Sequence, residues 1–186
     1  MTGPEISTDR LILSPLSAAD APALFAYRSL PEVSRYQSWQ PKSLDDAAGF
    51  IERFASTEFD TPGTWFQFGI RQRESGELVG DLGVHFLEDG RQTEIGFTLA
   101  PASQGRGFGT EAVVGVLDLL FRQLGKHRVF ASVDPRNQPS LRLLQRVGMR
   151  QEAHFRQSLL FKGEWCDDVV FAVLDSEWVE RKPILP

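Results

Sequence analysis

Apolar residues along this chain follow two rhythms, one helical and one alternating. Arg10 to Leu16 (RLILSPL) is largely apolar, is stopped at Pro15 and is followed by Ser17, a side chain suited to open a helix. This predicts a strand and then a helix over SAADAPALFAYRSL, where Ala21, Leu24, Phe25 and Arg28 share a face and Pro31 follows the end. Ser43 opens a second helix, LDDAAGFIERFAS. Its Leu44, Ala47, Ala48, Ile51 and Phe54 fall at helical spacing, and Asp45 and Asp46 occupy the first turn, where the helix dipole favours them. The stretch between, PEVSRYQSWQPK, is too polar and too rich in proline for a regular element. From Thr64 the pattern becomes that of strands: TWFQFGIRQR, a turn at Glu74–Gly76, ELVGDLGVHFLE, a turn at Asp89–Gly90, and QTEIGFTLA, together an antiparallel meander that Pro101 ends. GTEAVVGVLDLLFRQLG then reads as a helix with Val113, Leu117, Leu120, Phe121 and Leu124 on one face and Gly125 as its C-cap. HRVFASVD is a short buried strand, PSLRLLQRVG a short helix closed by Gly148, and EAHFRQSLLFKGEWCDDVVFAVL a hairpin turning near Lys162–Glu164. The order predicts an α/β (α+β) class with a mixed, mostly antiparallel sheet and helices on both faces.

Composition narrows the functional classes. The 186 residues, 41% of them apolar and including 14 Phe and 4 Trp, suffice for one well-filled core and exclude a disordered or collagen-like chain. The net charge of −5 argues against gripping duplex nucleic acid or anionic lipid by charge alone. One cysteine, Cys166, cannot form an internal disulfide, and with 3 His it cannot complete a zinc cage at ordinary spacing, so no metal is expected. The start places Glu5, Asp9 and Arg10 where a secretory leader would be apolar, and no apolar run approaches the roughly 18 residues of a membrane span. A soluble, cytoplasmic protein without membrane or nucleic-acid partners is expected.

The most informative stretch is QGRGFGTEA, Gln104 to Ala112, between the third meander strand and the long helix. Gly105, Gly107 and Gly109 remove side chains where backbone N–H groups converge, and the following helix offers its positive end, an arrangement suited to an anion. A Walker loop is excluded because Gly109 is followed by Thr110 and Glu111 and not by Lys and Ser or Thr. A dinucleotide fingerprint fits poorly, since its third glycine would fall at Thr110.

Gln104-x-x-Gly107-x-Gly109 resembles the pyrophosphate-binding motif of the GNAT acyl-CoA N-acyltransferases, Arg/Gln-x-x-Gly-x-Gly/Ala. TDRLILSPL (Thr8–Leu16), EIGFTL (Glu94–Leu99), GFGTEAV (Gly107–Val113), DPRNQPSLRLLQRVGM (Asp134–Met149) and the C-terminal hairpin are similar to the RimJ/RimL branch, which acetylates protein N-termini and related amines. The resemblance implies a single N-acetyltransferase (GNAT) domain over 1–186, with acetyl-CoA as co-substrate and a splayed central strand pair, Glu94–Leu99 and Arg128–Val133. By the same resemblance, backbone at Phe97, Thr98 and Leu99 would pair with the pantetheine arm. Gln104, Gly105, Arg106, Gly107, Phe108, Gly109 and Thr110 would hold the pyrophosphate, and Asn137 would contact the arm, although an Asn there also suits a helix cap.

The implied reaction is direct attack of a neutral amine on a thioester, with no covalent enzyme intermediate. Many GNAT enzymes carry, seven residues after that Asn, a Tyr that protonates the leaving thiolate; here the position is Leu144. Ser140, in the first turn of the short helix, is therefore the candidate to hydrogen-bond the sulfur, assisted by the helix N-terminus. Glu94 is the candidate base, with a pKa that burial would need to raise, and His85 is the alternative. Cys166 has no His near it in sequence and reads as an inert thiol. Tyr36, Trp39 and Trp65 are candidates for an aromatic acceptor wall, though such residues also serve cores, while Asp167 and Asp168 would attract a cationic acceptor or simply lie on the surface. The expected activity is transfer of an acetyl group to a primary amine, a protein N-terminus ahead of a small amine such as an antibiotic or metabolite. The missing Tyr keeps open a weakly active acyl-CoA-binding module, and another acyl group, such as succinyl, is also open. A homodimer is implied by the family alone.

Overall fold

The computed structural model describes residues 3–179. Among them the strands are β1 (Ile6–Ser7), β2 (Leu11–Pro15), β3 (Trp65–Gln72), β4 (Leu78–Phe86), β5 (Gln92–Leu99), β6 (Arg128–Val133), β7 (Arg150–Phe161) and β8 (Glu164–Leu174). The helices are α1 (Ala21–Arg28), α2 (Pro31–Ser34), α3 (Leu44–Ala55), α4 (Phe108–Asp118), α5 (Gln138–Arg146) and α6 (Asp175–Val179). The strands form one sheet in the order β1-β2-β3-β4-β5-β6-β8-β7, antiparallel everywhere except between β5 and β6. This is the mixed, mostly antiparallel sheet that the alternation of residues predicts.

Local chemistry sets the helix ends. Ser43 Oγ accepts from the Asp46 amide (3.1 Å) and Asp46 Oδ2 accepts from the Ser43 amide (3.1 Å), a reciprocal cap that fixes the start of α3. Ser17 and Asp20 hold a single 3-10 turn ahead of α1, so that helix begins three residues later than Ser17 suggests. The segment expected to be irregular contains the one-turn helix α2, because Pro31 at its first position has the right φ already fixed. The sequence pattern marks neither the two-residue strand β1 nor the closing helix α6.

Apolar side chains fill both faces. A large core joins the strands to α4, with Phe66, Phe68, Leu82, Val84, Phe86, Val113, Val116, Leu117 and Leu120 all buried, and a smaller one packs Leu24, Tyr27, Ala47 and Ile51 of α1 and α3 on the opposite face. β4, buried over nearly its whole length, is central.

The feature that positions the site is the parting of β5 from β6. Their parallel pairing covers only Gln92–Arg128, Thr93–Val129 and Glu94–Phe130; beyond Glu94, β5 continues to Leu99 on β4, while β6 continues to Val133 on β8. The strands open like a V, and unpaired backbone edges face the gap.

Candidate active site

Two cavities meet at this parting. The first, about 460 Å³, is lined by Phe97, Thr98 and Leu99 of β5, by Gln104, Gly105, Gly107, Gly109 and Thr110 of the glycine loop, and by Asn137 and Ser140 at the start of α5. Gln104 Nε2 donates to the Leu99 carbonyl (3.1 Å), tying the loop back to the strand. Gly105 (φ 73°) and Gly107 (φ 83°) take left-handed backbone conformations that a side chain would strain, and Gly107 is the N-cap of α4. The first intrahelical bond runs from the Glu111 amide to the Gly107 carbonyl (3.1 Å), so the amides before it are available to an anion. At Gly109 a Cβ would lie 2.7 Å from Leu143 Cδ1, where α4 faces α5.

The side chains of Arg106 and Phe108 turn away from this cavity. Phe108 is buried in the core with the Arg10 and Arg106 guanidinium groups over its ring at 4.9 and 4.5 Å, and neither Arg106 nor Phe108 lines the cavity. Asn137 caps α5, its Oδ1 accepting from the Ser140 amide (3.4 Å), and lines the cavity as well. Arg136, Arg142 and Arg146 also border it and make it cationic. The residue pattern did not single them out; two arginines one helical turn apart just after Asn137 were the available signal. Thr98 Oγ1, on a residue of this wall, is buried without a hydrogen-bond partner. Freed loop amides and three arginines fit an extended ligand with phosphates at one end.

The second cavity, about 520 Å³, lies on the side of α1–α3 and takes in Tyr36, Trp39, Trp65, Glu94, Gly96, Asp134, Cys166, Asp167 and Asp168. Trp65, His85 and Glu94 are successive cross-strand partners on β3, β4 and β5. The Trp65 ring stacks on His85 (4.8 Å, 7°), and His85 Nδ1 stands 3.8 Å from Glu94 Oε2. His85 supports this row without lining the cavity. Burial pushes the Glu94 carboxyl above the ordinary glutamate range; His85 draws it back and Asp168 pushes it further up. Trp39 stacks on Phe50 (4.3 Å), joining the cavity wall to α3.

The other acids differ in their freedom. Asp134 is held low by Arg136, whose guanidinium also reaches Cys166 Sγ at 3.2 Å, and Cys166 itself is buried. Asp167 is held low by the Gln157 amide (2.9 Å) and by His154 (2.7 Å). Asp168 accepts from Ser132 Oγ (2.5 Å).

The two cavities share Tyr36 and Gln37, and β5 passes from one to the other between Gly96 and Phe97. Tyr36 OH donates to the Arg136 carbonyl (3.4 Å) at the foot of α5. Glu94 faces one cavity and Ser140 the other. Leu144 is fully buried, in neither.

A model of the acetyltransferase (GNAT) domain matches residues 10–150. The chain belongs to the GNAT family. It is 34% identical over 173 residues to the N-acetyltransferase YoaA of Bacillus subtilis (strain 168), covering 92% of this chain and 97% of that one. It is 27% identical over 180 residues to the [ribosomal protein uS5]-alanine N-acetyltransferase of Escherichia coli (strain K12), covering 93% and 92%. A GNAT acetyltransferase structure from Bacillus anthracis superimposes with a TM-score of 0.85 at 25% identity, over 93% of this chain and 99% of that one. The protein is thus a GNAT N-acetyltransferase of the fold that the resemblance implies, a family whose members use acetyl-CoA, and its activity implies an amine acceptor.

Proposed function

We propose that this GNAT enzyme acetylates the α-amine of a polypeptide N-terminus. The observation that carries the reading is the shape of the acceptor cavity's rim. Apart from Leu44, the large apolar side chains exposed among the described residues, Phe155, Leu159, Leu160 and Trp165, all lie on the β7–β8 hairpin, and Leu159 and Phe161 of that hairpin line the cavity. An apolar arm at the mouth suits an acceptor with a chain behind its amine and does nothing for a compact one.

The residues divide the work between cofactor and acceptor. Loop amides and the α5 arginines hold the cofactor's phosphates, and acetyl-CoA supplies the acetyl thioester. Glu94 and Asp168 draw the ammonium group into the acceptor cavity, and Glu94 takes the proton that the amine must lose, directly or through water. An α-amine, with an ordinary pKa near 8, yields that proton more readily than a lysine near 10.4, which matches a base whose own pKa is raised. Ser140, on the cofactor side, donates a hydrogen bond to the sulfur as it leaves. The relationship to the uS5-alanine N-acetyltransferase supports the same acceptor class.

Steady-state kinetics of Trp165→Ala and Leu160→Ser with a peptide and with a diamine test the role of the hairpin. A raised KM for the peptide alone is expected. An unchanged peptide KM, or an equal loss with both acceptors, would contradict it.

A further inference from the structure

We propose that Gln37 is a catalytic residue, donating its side-chain amide to the acyl carbonyl oxygen where the two cavities meet. The inference rests on the acetyl-CoA chemistry above and extends it to a residue that no sequence motif marks. Gln37 and Tyr36 are the residues that border both cavities, so Gln37 stands where the acyl group and the incoming amine must come together.

What fixes its orientation is a buried ion pair. Asp81, fully buried on β4, accepts from Tyr27 OH (2.7 Å) and from Arg28 Nε (3.1 Å), and also pairs with Arg28 Nη2. The guanidinium is thereby immobilised, and its remaining nitrogen, Nη1, donates to Gln37 Oε1 at 3.1 Å. A guanidinium has donors and no acceptor, so the Gln37 amide must present its oxygen to Arg28. Its NH2 group is forced to point elsewhere, and among the described residues no hydrogen bond engages that nitrogen. The Gln37 backbone N–H also donates to the Ser34 carbonyl (2.9 Å), which anchors the residue to α2.

The result is a neutral donor whose oxygen is committed to a buried charge, on a residue that borders both cavities. As the amine attacks, the carbon–nitrogen bond forms, the carbon–sulfur bond breaks and negative charge builds transiently on the carbonyl oxygen. A donor already in place lowers that barrier without rearrangement. Arg28 and Asp81 are positioning residues that act through Gln37.

The test uses Gln37→Glu, which keeps an oxygen for Arg28 and removes both N–H donors, and Gln37→Leu, which removes both functions. Calorimetry first establishes acetyl-CoA binding, and isotope-edited infrared spectra of [1-13C]acetyl-CoA bound without acceptor then read the thioester carbonyl. The wild-type band should be shifted to lower frequency relative to free acetyl-CoA, and the shift should be largely lost in both variants. kcat should fall roughly 100- to 1000-fold with the acetyl-CoA KM within about threefold of wild type, the scale of losing one oxyanion donor. Variants that bind acetyl-CoA but keep the full band shift, or keep kcat, overturn the role of Gln37 alone. A wild-type protein that does not bind acetyl-CoA overturns the acetyl-CoA chemistry itself.

Discussion

Arg10 and Glu111 clamp the start of the second strand to the start of the long helix. Glu111 Oε1 accepts from Thr8 Oγ1 (2.6 Å) and the Arg10 amide (2.8 Å), while Oε2 accepts from Arg10 Nε (2.7 Å). The same guanidinium donates to the Arg106 carbonyl (3.0 Å), so it holds the glycine loop at its midpoint. Arg10→Ala should therefore raise the KM for acetyl-CoA about tenfold, the equivalent of ~1.4 kcal/mol, with kcat nearly unchanged. Steady-state kinetics with acetyl-CoA as the varied substrate check this. Partial burial pushes the Glu111 carboxyl up, but the bonds from Thr8 and Arg10 outweigh it and hold the group below the ordinary range. With the folded value depressed, the clamp's stabilisation is complete above the unfolded carboxylate value and is lost as pH falls through the folded one. Acetyl-CoA affinity should be insensitive to this group at neutral pH.

Glu94 carries the opposite shift, and its neighbours should move the pH profile in opposite directions. The base is active when deprotonated, so kcat/KM should rise through an acid limb lying above the ordinary glutamate range. Removing the histidine that pulls the value down, as in His85→Gln, should move that limb to higher pH. Asp168→Asn, which removes a push upward, should move it lower. Glu94→Gln should abolish the limb and reduce kcat by about 100- to 10,000-fold. Because the folded value is raised, ionising Glu94 costs the folded state stability above the unfolded value, and Glu94→Gln should raise Tm at neutral pH.

The buried pair beneath Gln37 should be costly to break from one side. Asp81→Asn leaves the buried Arg28 guanidinium without its counter-charge, and urea denaturation should show a loss of ~3–5 kcal/mol. Replacing both residues by apolar ones of similar volume should recover part of that loss.

Leu144, seven residues after Asn137, has its side chain fully buried in the core. Leu144→Tyr should overpack the interior, lower stability by about 1–3 kcal/mol in urea denaturation and leave kcat without a gain. A rise in kcat would show that a phenol at this position can serve the reaction.

Much of the fold was legible in the residues themselves. The strand and helix order followed from periodicity, because apolar faces of period two and 3.6 leave direct marks on the chain. The glycine loop was legible because Gly105 and Gly107 need backbone conformations that other residues avoid. What escaped was set over long range. Trp65, His85 and Glu94 each stand out as candidates in the sequence, but their alignment in one row depends on the register of three strands, which alternation alone does not fix. Gln37 carries no local mark at all; its place and orientation come from Arg28 and from Asp81, on a strand far along the chain. The short elements α2 and β1 leave no mark because two to four residues hold too little pattern.

Acceptor choice is the central claim, and one experiment reads it directly. Purified enzyme and acetyl-CoA are mixed with a peptide bearing a free N-terminus, with the same peptide blocked at its N-terminus but carrying a lysine, and with a polyamine. Released thiol is followed, and the product is mapped by tandem mass spectrometry. Thiol release with the free peptide at least tenfold faster than with either other acceptor, and an acetyl group on the α-amine, is the predicted result. Fast acetylation of the polyamine or of the lysine, with the free N-terminus left unmodified, would contradict it.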